Sequence, residues 1–242
     1  MKLFLLQVAA QTTDSNALHN IVTQTPPEVP VEKTLSIWEL VTSGGIAGQA
    51  IMASIFILSI VAVYIFIERF FSIMKANKED LNFMNNIKEY IHNGKLDAAK
   101  ALCQSTKTPV ARMMEKGISR IGRPLTDIAA AIENVGNLET FKLEKNVATL
   151  ATIAGAAPML GFLGTVVGMI MAFHKMASAG GQIDVEMLSE GIYTAMTTTV
   201  AGLVVGIMAY IGYNILVSNI QKVIFLMEAS STEFLDLLHE PA

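Results

Sequence analysis

The sequence predicts an all-α membrane protein: three transmembrane helices with long helical extensions outside the bilayer. Three observations carry this. The chain has 242 residues, 52% hydrophobic and 16% charged, with a mean hydropathy of +0.48, a balance typical of membrane proteins. Three stretches, 46–67, 147–173 and 191–221, hold no charged residue over 22, 27 and 31 positions. As helices rising ~1.5 Å per residue, each can cross a hydrocarbon core of ~30 Å. Finally, 13 of the 17 Lys and Arg lie within 69–145, and cationic excess marks the cytoplasmic side.

Taken in order, residues 1–45 read as an external tail ending in an interfacial helix. Met1 to Ala10 has one Lys, then Leu3-Phe4-Leu5-Leu6 and Ala9-Ala10. This resembles a signal peptide, but its apolar core is short and favours retention. Residues 11–33 are polar with Pro26, Pro27 and Pro30, an extended segment. Residues 34–43 place Leu35, Trp38 and Val41 on one helical side, and Trp38 suits the headgroup level. Gly44-Gly45 breaks the pattern. Residues 46–68 form transmembrane helix 1, leaving the bilayer at Glu68-Arg69.

Residues 69–146 read as a cytoplasmic helical domain. Phe83, Ile87, Tyr90 and Ile91 recur at helical spacing until His92-Asn93-Gly94 stops them. A short helix covers 96–105, and Thr108-Pro109 opens another that ends near Gly122. Pro124 opens a longer helix, expected to run through Glu133, Glu139 and Glu144 directly into transmembrane helix 2, 147–173. Pro158 inside that span lacks an N–H and is expected to bend it. An external loop, 174–187, leads to transmembrane helix 3, 188–217. Residues 218–242 continue as an amphipathic cytoplasmic helix, with Ile220, Val223, Ile224, Met227, Phe234 and Leu238 on one side.

Composition also excludes functions. The single cysteine, Cys103, allows no internal disulfide and reads as a small apolar core residue. No basic patch with interleaved aromatics points to nucleic acid. The sequence shows neither a nucleophile–base set nor a metal-ligand cluster, so no catalytic or metal site and no cofactor is expected, and the chain is not read as an enzyme. The stretch from Gly161 to Gly168 lacks the Lys of a phosphate loop and lies inside an apolar run.

The chemistry concentrates in spans two and three. Ala157, Gly161, Gly164, Thr165, Gly168 and Ala172 line one side of the first; Thr194, Thr198, Thr199, Gly202 and Gly206 mark the second. Small residues at such spacing let helix backbones approach closely in lipid. Thr165 lies about 12 Å from the outer end of span two, and Thr199 about 16 Å into span three, so both hydroxyls fall in one layer. The plain reading is that each threonine bonds the i−4 carbonyl of its own helix and fits a small-residue interface. The functional reading is a polar ring beside a carboxylate that takes up an ion. Neither span carries a charge, so that carboxylate would come from a partner. His174 and Lys175 read as a solvated helix end, and Glu186 and Glu190 suit the start of span three.

These residues resemble the ExbB, TolQ and MotA proton-channel proteins over about 34–225. The resemblance is carried by Trp38-Glu39-Leu40, Gly44-Gly45 and Glu68-Arg69. It is strongest in Ala157-Pro158-x-x-Gly161-x-x-Gly164-Thr165-Val166-x-Gly168, and it extends to Thr197-Thr198-Thr199-x-Ala201-Gly202-Leu203 and Tyr213-Asn214. Three spans with a large first cytoplasmic loop are more like ExbB and TolQ than the four-span MotA. The resemblance implies a homopentamer around a central pore in a bacterial inner membrane, N-terminus periplasmic and C-terminus cytoplasmic. It implies two copies of an ExbD- or TolR-like single-span partner with an essential aspartate, and force passed to the outer membrane by a TonB- or TolA-like protein; a TolQ-like or gliding-type motor subunit and a non-conducting membrane scaffold are the alternative readings. The family threonines map onto Thr165 and Thr199, with Thr198 and Thr194 beside them in the ion pathway. Five residues before the second threonine the family usually has Glu; here it is Thr194. That leaves the partner aspartate as the evident proton carrier, and hydroxyls and carbonyls leave Na⁺ open beside H⁺.

Overall fold

The computed structural model describes residues 45–77, 81–178 and 185–239. The tail, the interfacial helix around Trp38, and the 179–184 part of the external loop lie outside the described residues. Every regular element among the described residues is an α-helix: α1 Gly45–Ala76, α2 Leu81–His92, α3 Leu96–Ser105, α4 Pro109–Ile118, α5 Leu125–Glu144, α6 Val147–Ser178 and α7 Val185–His239. Three of the described stretches are long and apolar enough to cross a membrane, within Ile46–Ala76, Leu125–Ser178 and Gly191–His239.

The short helices are bounded by local chemistry. At α4, Thr108 accepts the Ala111 N–H at 3.3 Å with Pro109 in the first turn, the usual N-cap arrangement. Gly94 ends the α2 region at φ +69°, a left-handed position that glycine adopts without strain. One expectation fails at the entry to span two. The long helix does not run on unbroken: Lys145 is extended (φ −52°, ψ 132°) and Asn146 takes φ +65°. Asn tolerates the left-handed region better than most residues, so α5 ends at Glu144 and α6 begins at Val147 as separate helices. Within α6, by contrast, Pro158 lies inside one continuous helix.

α1, α6 and α7 pack together over the apolar stretches, while α2, α4 and α5 pack against α7, with α3 held between α2 and α4. One buried cluster runs through both parts, from Ala62 and Ile65 through Leu150 and Leu216 to Ile87, Met114 and Phe234. In the lower part, α4 comes close because Gly117 has no side chain: a Cβ there would stand 2.7 Å from Phe234 and 2.9 Å from Ile132. Cys103 is buried in this bundle; burial, reinforced by the charge of Glu115, pushes its thiol up to about 12. The lower bundle also holds a buried carboxylate. Glu139 is 3% exposed and is paired with Arg112 of α4 and, at 2.7 Å, with Lys142. Burial opposes its ionisation, but the hydrogen bonds and charges of both cations outweigh that and hold its carboxyl below the ordinary 4.5.

Candidate functional site

The site begins with backbone proximity. α6 and α7 are antiparallel, and their facing positions are small all along the seam. A Cβ added to Gly161 would meet the Thr198 carbonyl at 2.9 Å and the Thr199 Cα at 3.0 Å. One on Gly164 would overlap the Thr198 side chain, and one on Gly168 would stand 2.8 Å from Ala195 Cβ. From the other helix, a Cβ on Gly202 would stand 2.5 Å from the Ala157 carbonyl oxygen, and one on Gly206 would stand 2.5 Å from Pro158 Cγ. Each of these five glycines therefore lies where any side chain would push the helices apart. The approach matters chemically because it brings hydroxyls of one helix within reach of carbonyls of the other.

Thr199 uses that reach. Its hydroxyl donates across the seam to the Gly161 carbonyl at 3.0 Å. Thr198 donates to Ala195 O of its own helix at 2.7 Å, with the Gly161 carbonyl 3.3 Å away, and at 3% exposure it is enclosed between the two helices. Thr165 donates to Phe162 O of its own helix at 2.6 Å and is half-buried. Thr165 and Thr198 thus bond back to their own helices, at the i−3 rather than the expected i−4 carbonyl, whereas Thr199 makes an interhelical bond. The Gly161 carbonyl can serve because a carbonyl oxygen has two lone pairs and helix formation uses one.

Gly161 organises the geometry, a role that the sequence reading gave it only for packing. Thr199 bonds its carbonyl, and Thr165 follows it by one turn, ~6 Å along the axis. Thr194, also half-buried, stands elsewhere: five helical residues separate it from Thr199, about 140° around the axis. The two leave the enclosed Thr198 on opposite flanks and do not point at one spot. The remaining faces of both helices are apolar and exposed in the single chain, with Phe162, Val166 and Ile170 on α6 and Val200, Leu203 and Ile207 on α7.

No group of three or more His, Cys, Asp or Glu that could hold a metal occurs among the described residues. The seam offers hydroxyls and carbonyls, which can ligate a cation or solvate a neighbouring carboxylate but cannot themselves carry a proton charge near neutral pH.

Where α1 leaves the apolar layer, Arg69 links it to α5. Its guanidinium donates to the Lys142 carbonyl at 3.1 Å and to Glu68 at 2.8 Å, placing a cation at the C-terminal end of α5, where the helix dipole favours it. Sequence reasoning treated Arg69 only as an interfacial charge. The Glu139–Lys142 spacing of i, i+3 could have suggested part of the network below it; Arg112, 27 residues earlier, has no local signal.

Comparison with known proteins places this seam in a family. Residues 105–229 match the profile described as the MotA/TolQ/ExbB proton channel family. A putative biopolymer transport protein ExbB homolog of Methanothermobacter thermautotrophicus is 31% identical over 135 residues, 56% of this chain and 47% of the relative. The Tol-Pal system protein TolQ of Pseudomonas aeruginosa is 27% identical, covering 84% of this chain and 93% of the relative. The biopolymer transport protein ExbB of Aquifex aeolicus is 33% identical over 88 residues, 36% of this chain and 59% of the relative. The chain thus spans about half the length of the first of these and nearly all of the second.

Proposed function

The chain belongs to the MotA/TolQ/ExbB proton channel family, and on that premise we propose that it is the ring-forming subunit of an ion-driven motor in a bacterial inner membrane. Five copies surround a pore lined by α6 and α7, with α1 outside. The division of surfaces supports this: the small-residue seam joins α6 and α7, whereas α1 presents bulky Phe56, Ile57, Ile60 and Tyr64 outward. In this reading 1–45 and 174–187 are periplasmic, and 69–146 and 218–242 are cytoplasmic. An ExbD- or TolR-like single-span partner, two copies in the pore, supplies the carboxylate that spans two and three lack. The captured ion drives motion that a TonB-like protein passes to the outer membrane.

The observation that carries the mechanism is the Thr199–Gly161 bond with Thr165 one turn away. When an aspartate approaches, these hydroxyls can redirect their protons from carbonyls to the carboxylate and stabilise its charged form. When it is protonated they return to their carbonyl partners. The subunit adds no titrating group, since Thr194 stands where the family usually has Glu, and ion uptake and release belong to the partner. The translocated ion is H⁺, with Na⁺ as the alternative that a hydroxyl and carbonyl set can also ligate.

A TolQ-like role is the second reading, favoured by the length of the match to the Pseudomonas protein. Thr165→Val and Thr199→Val variants at normal protein levels test the motor itself. Both should lose energy-dependent outer-membrane function; wild-type function in both would reduce the chain to a non-conducting scaffold. Rescue of uptake or of envelope integrity in strains lacking one system or the other separates an ExbB-like role from a TolQ-like one.

A further inference from the structure

A groove of about 490 Å³ runs between α1 and α7 at the level of the apolar spans, with Leu150 of α6 at its floor. Ala62, Val63 and Phe66 form one wall and Met208, Gly212 and Ile215 part of the other. Gly212 lets the walls meet, since a Cβ there would stand 2.9 Å from the Phe66 ring. On α1 the lining runs from Ser59 to Ile67, and on α7 from Val205 to Ile215, a length of roughly 12–15 Å. That is about half of a ~30 Å hydrocarbon core, the depth of one leaflet. The groove ends beside Glu68-Arg69, where the apolar layer ends.

Water does not fill an apolar groove, and a helix ~10 Å wide over this length would displace roughly twice its volume. A single hydrocarbon chain matches both its length and its narrowness. The charge at its end selects the headgroup. Arg69 follows Phe66 by three residues and is 8% exposed; two of its nitrogens are occupied by Glu68 and the Lys142 carbonyl, while its buried Nε has no partner. On α7, Asn219 and Lys222 continue the line of Ile215 at four and seven residues, and Lys222 is exposed. Two cations against one carboxylate favour an anion. We propose that this groove seats one acyl chain of an anionic phospholipid from the leaflet beside the charged bundle, its phosphate held at Arg69 and Lys222.

Spin-labelled phosphatidylglycerol and phosphatidylcholine, added to the full-length protein in phosphatidylcholine vesicles, test this by electron paramagnetic resonance. The wild type should show a motionally restricted component that prefers the glycerol lipid. The Val63→Trp/Met208→Trp double variant fills the groove from two exposed positions, 47% and 62% in the single chain, and should remove that preferential component. Lys222→Gln should weaken the preference by about fivefold, the discrimination one basic side chain confers at an anionic surface. An unchanged component in the filled variant overturns the proposal. So does equal restriction of the two lipids by the wild type, a measurement that stands even if the filled variant does not fold. A filled variant that changes the oligomeric state while keeping its lipid would show that a second copy covers the groove, and overturns it as well.

Discussion

The two halves of α7 are one continuous helix built on opposite principles. Over 191–217 it meets α6 through glycine, alanine and threonine, so backbone approaches backbone, and most side chains that face outward are apolar, Asn214 and Thr197 excepted. Over 218–239 it meets α2, α4 and α5 through Ile220, Val223, Met227 and Phe234, all buried, while Lys222 and Glu228 face outward. The solvent explains the difference. In water, burying large apolar side chains drives packing. In lipid, tails are as apolar as leucine, and close contact with interhelical hydrogen bonding takes over. The seam therefore brings carbonyls and hydroxyls together, whereas the bundle makes a conventional core.

The comparison breaks most sharply at the glycines. Gly202→Val places its new atoms against the Ala157 carbonyl and the Gly161 backbone, which cannot move without separating the helices. We expect a loss of about 3 kcal/mol or more, at the upper end for overpacking, read as failure to recover a folded protein in mild detergent. Gly117→Ala in the bundle meets only the ends of Phe234 and Ile132 side chains. It should cost about 1–2 kcal/mol and leave the protein folded. Equal damage from both would remove the distinction between backbone-set and side-chain-set packing.

The buried carboxylate sharpens the comparison from the other side, because the bundle tolerates a charge that neither half of the seam carries. Glu139→Ala strands Arg112 and Lys142. Their partial exposure reduces the expected loss to about 2 kcal/mol, below the ~3–5 kcal/mol for breaking a fully enclosed pair. The pH dependence has a definite sign. Glu139 titrates below 4.5 when folded, so its contribution is fully present above 4.5, the value of the unfolded chain. It is lost as pH falls toward the depressed folded value. Denaturation of the α2–α5 bundle, followed by Cys103 labelling, should lose this acid-sensitive step in Glu139→Gln.

The smallest structural effect is expected at the residue proposed to matter most for activity. Thr199→Val removes one interhelical hydrogen bond, about 0.6 kcal/mol in membrane helices, and unfolding in detergent should scarcely register it. A large loss of motor function with that small change would locate the role of Thr199 in the ion pathway. A stability loss above about 2 kcal/mol would instead make it a packing residue, since membrane hydrogen bonds do not exceed that range.

The helices and the seam were legible in the residues because each rests on local periodicity. Uncharged runs mark the spans, spacings of three and four mark the faces that pack, and Thr108-Pro109 and Asn93-Gly94 mark helix limits. The predicted bounds 96–105 coincide with those of α3. The missed break at Lys145-Asn146 is a local conformational choice that the helical pattern on either side concealed. Small residues also announce that two helices approach, but not the register that decides which atoms meet.

By itself, then, the sequence determined an all-helical membrane protein with three spans, a charged helical bundle and a charge-free pair of small-residue helices. Only the tertiary structure decided that Thr199 bonds Gly161 while Thr198 is enclosed, and that Arg112 reaches Glu139. Periodicity constrains rotation within one helix. Hydrogen-bond partners depend on the axial register and tilt between two helices, and those are set by many close contacts acting together.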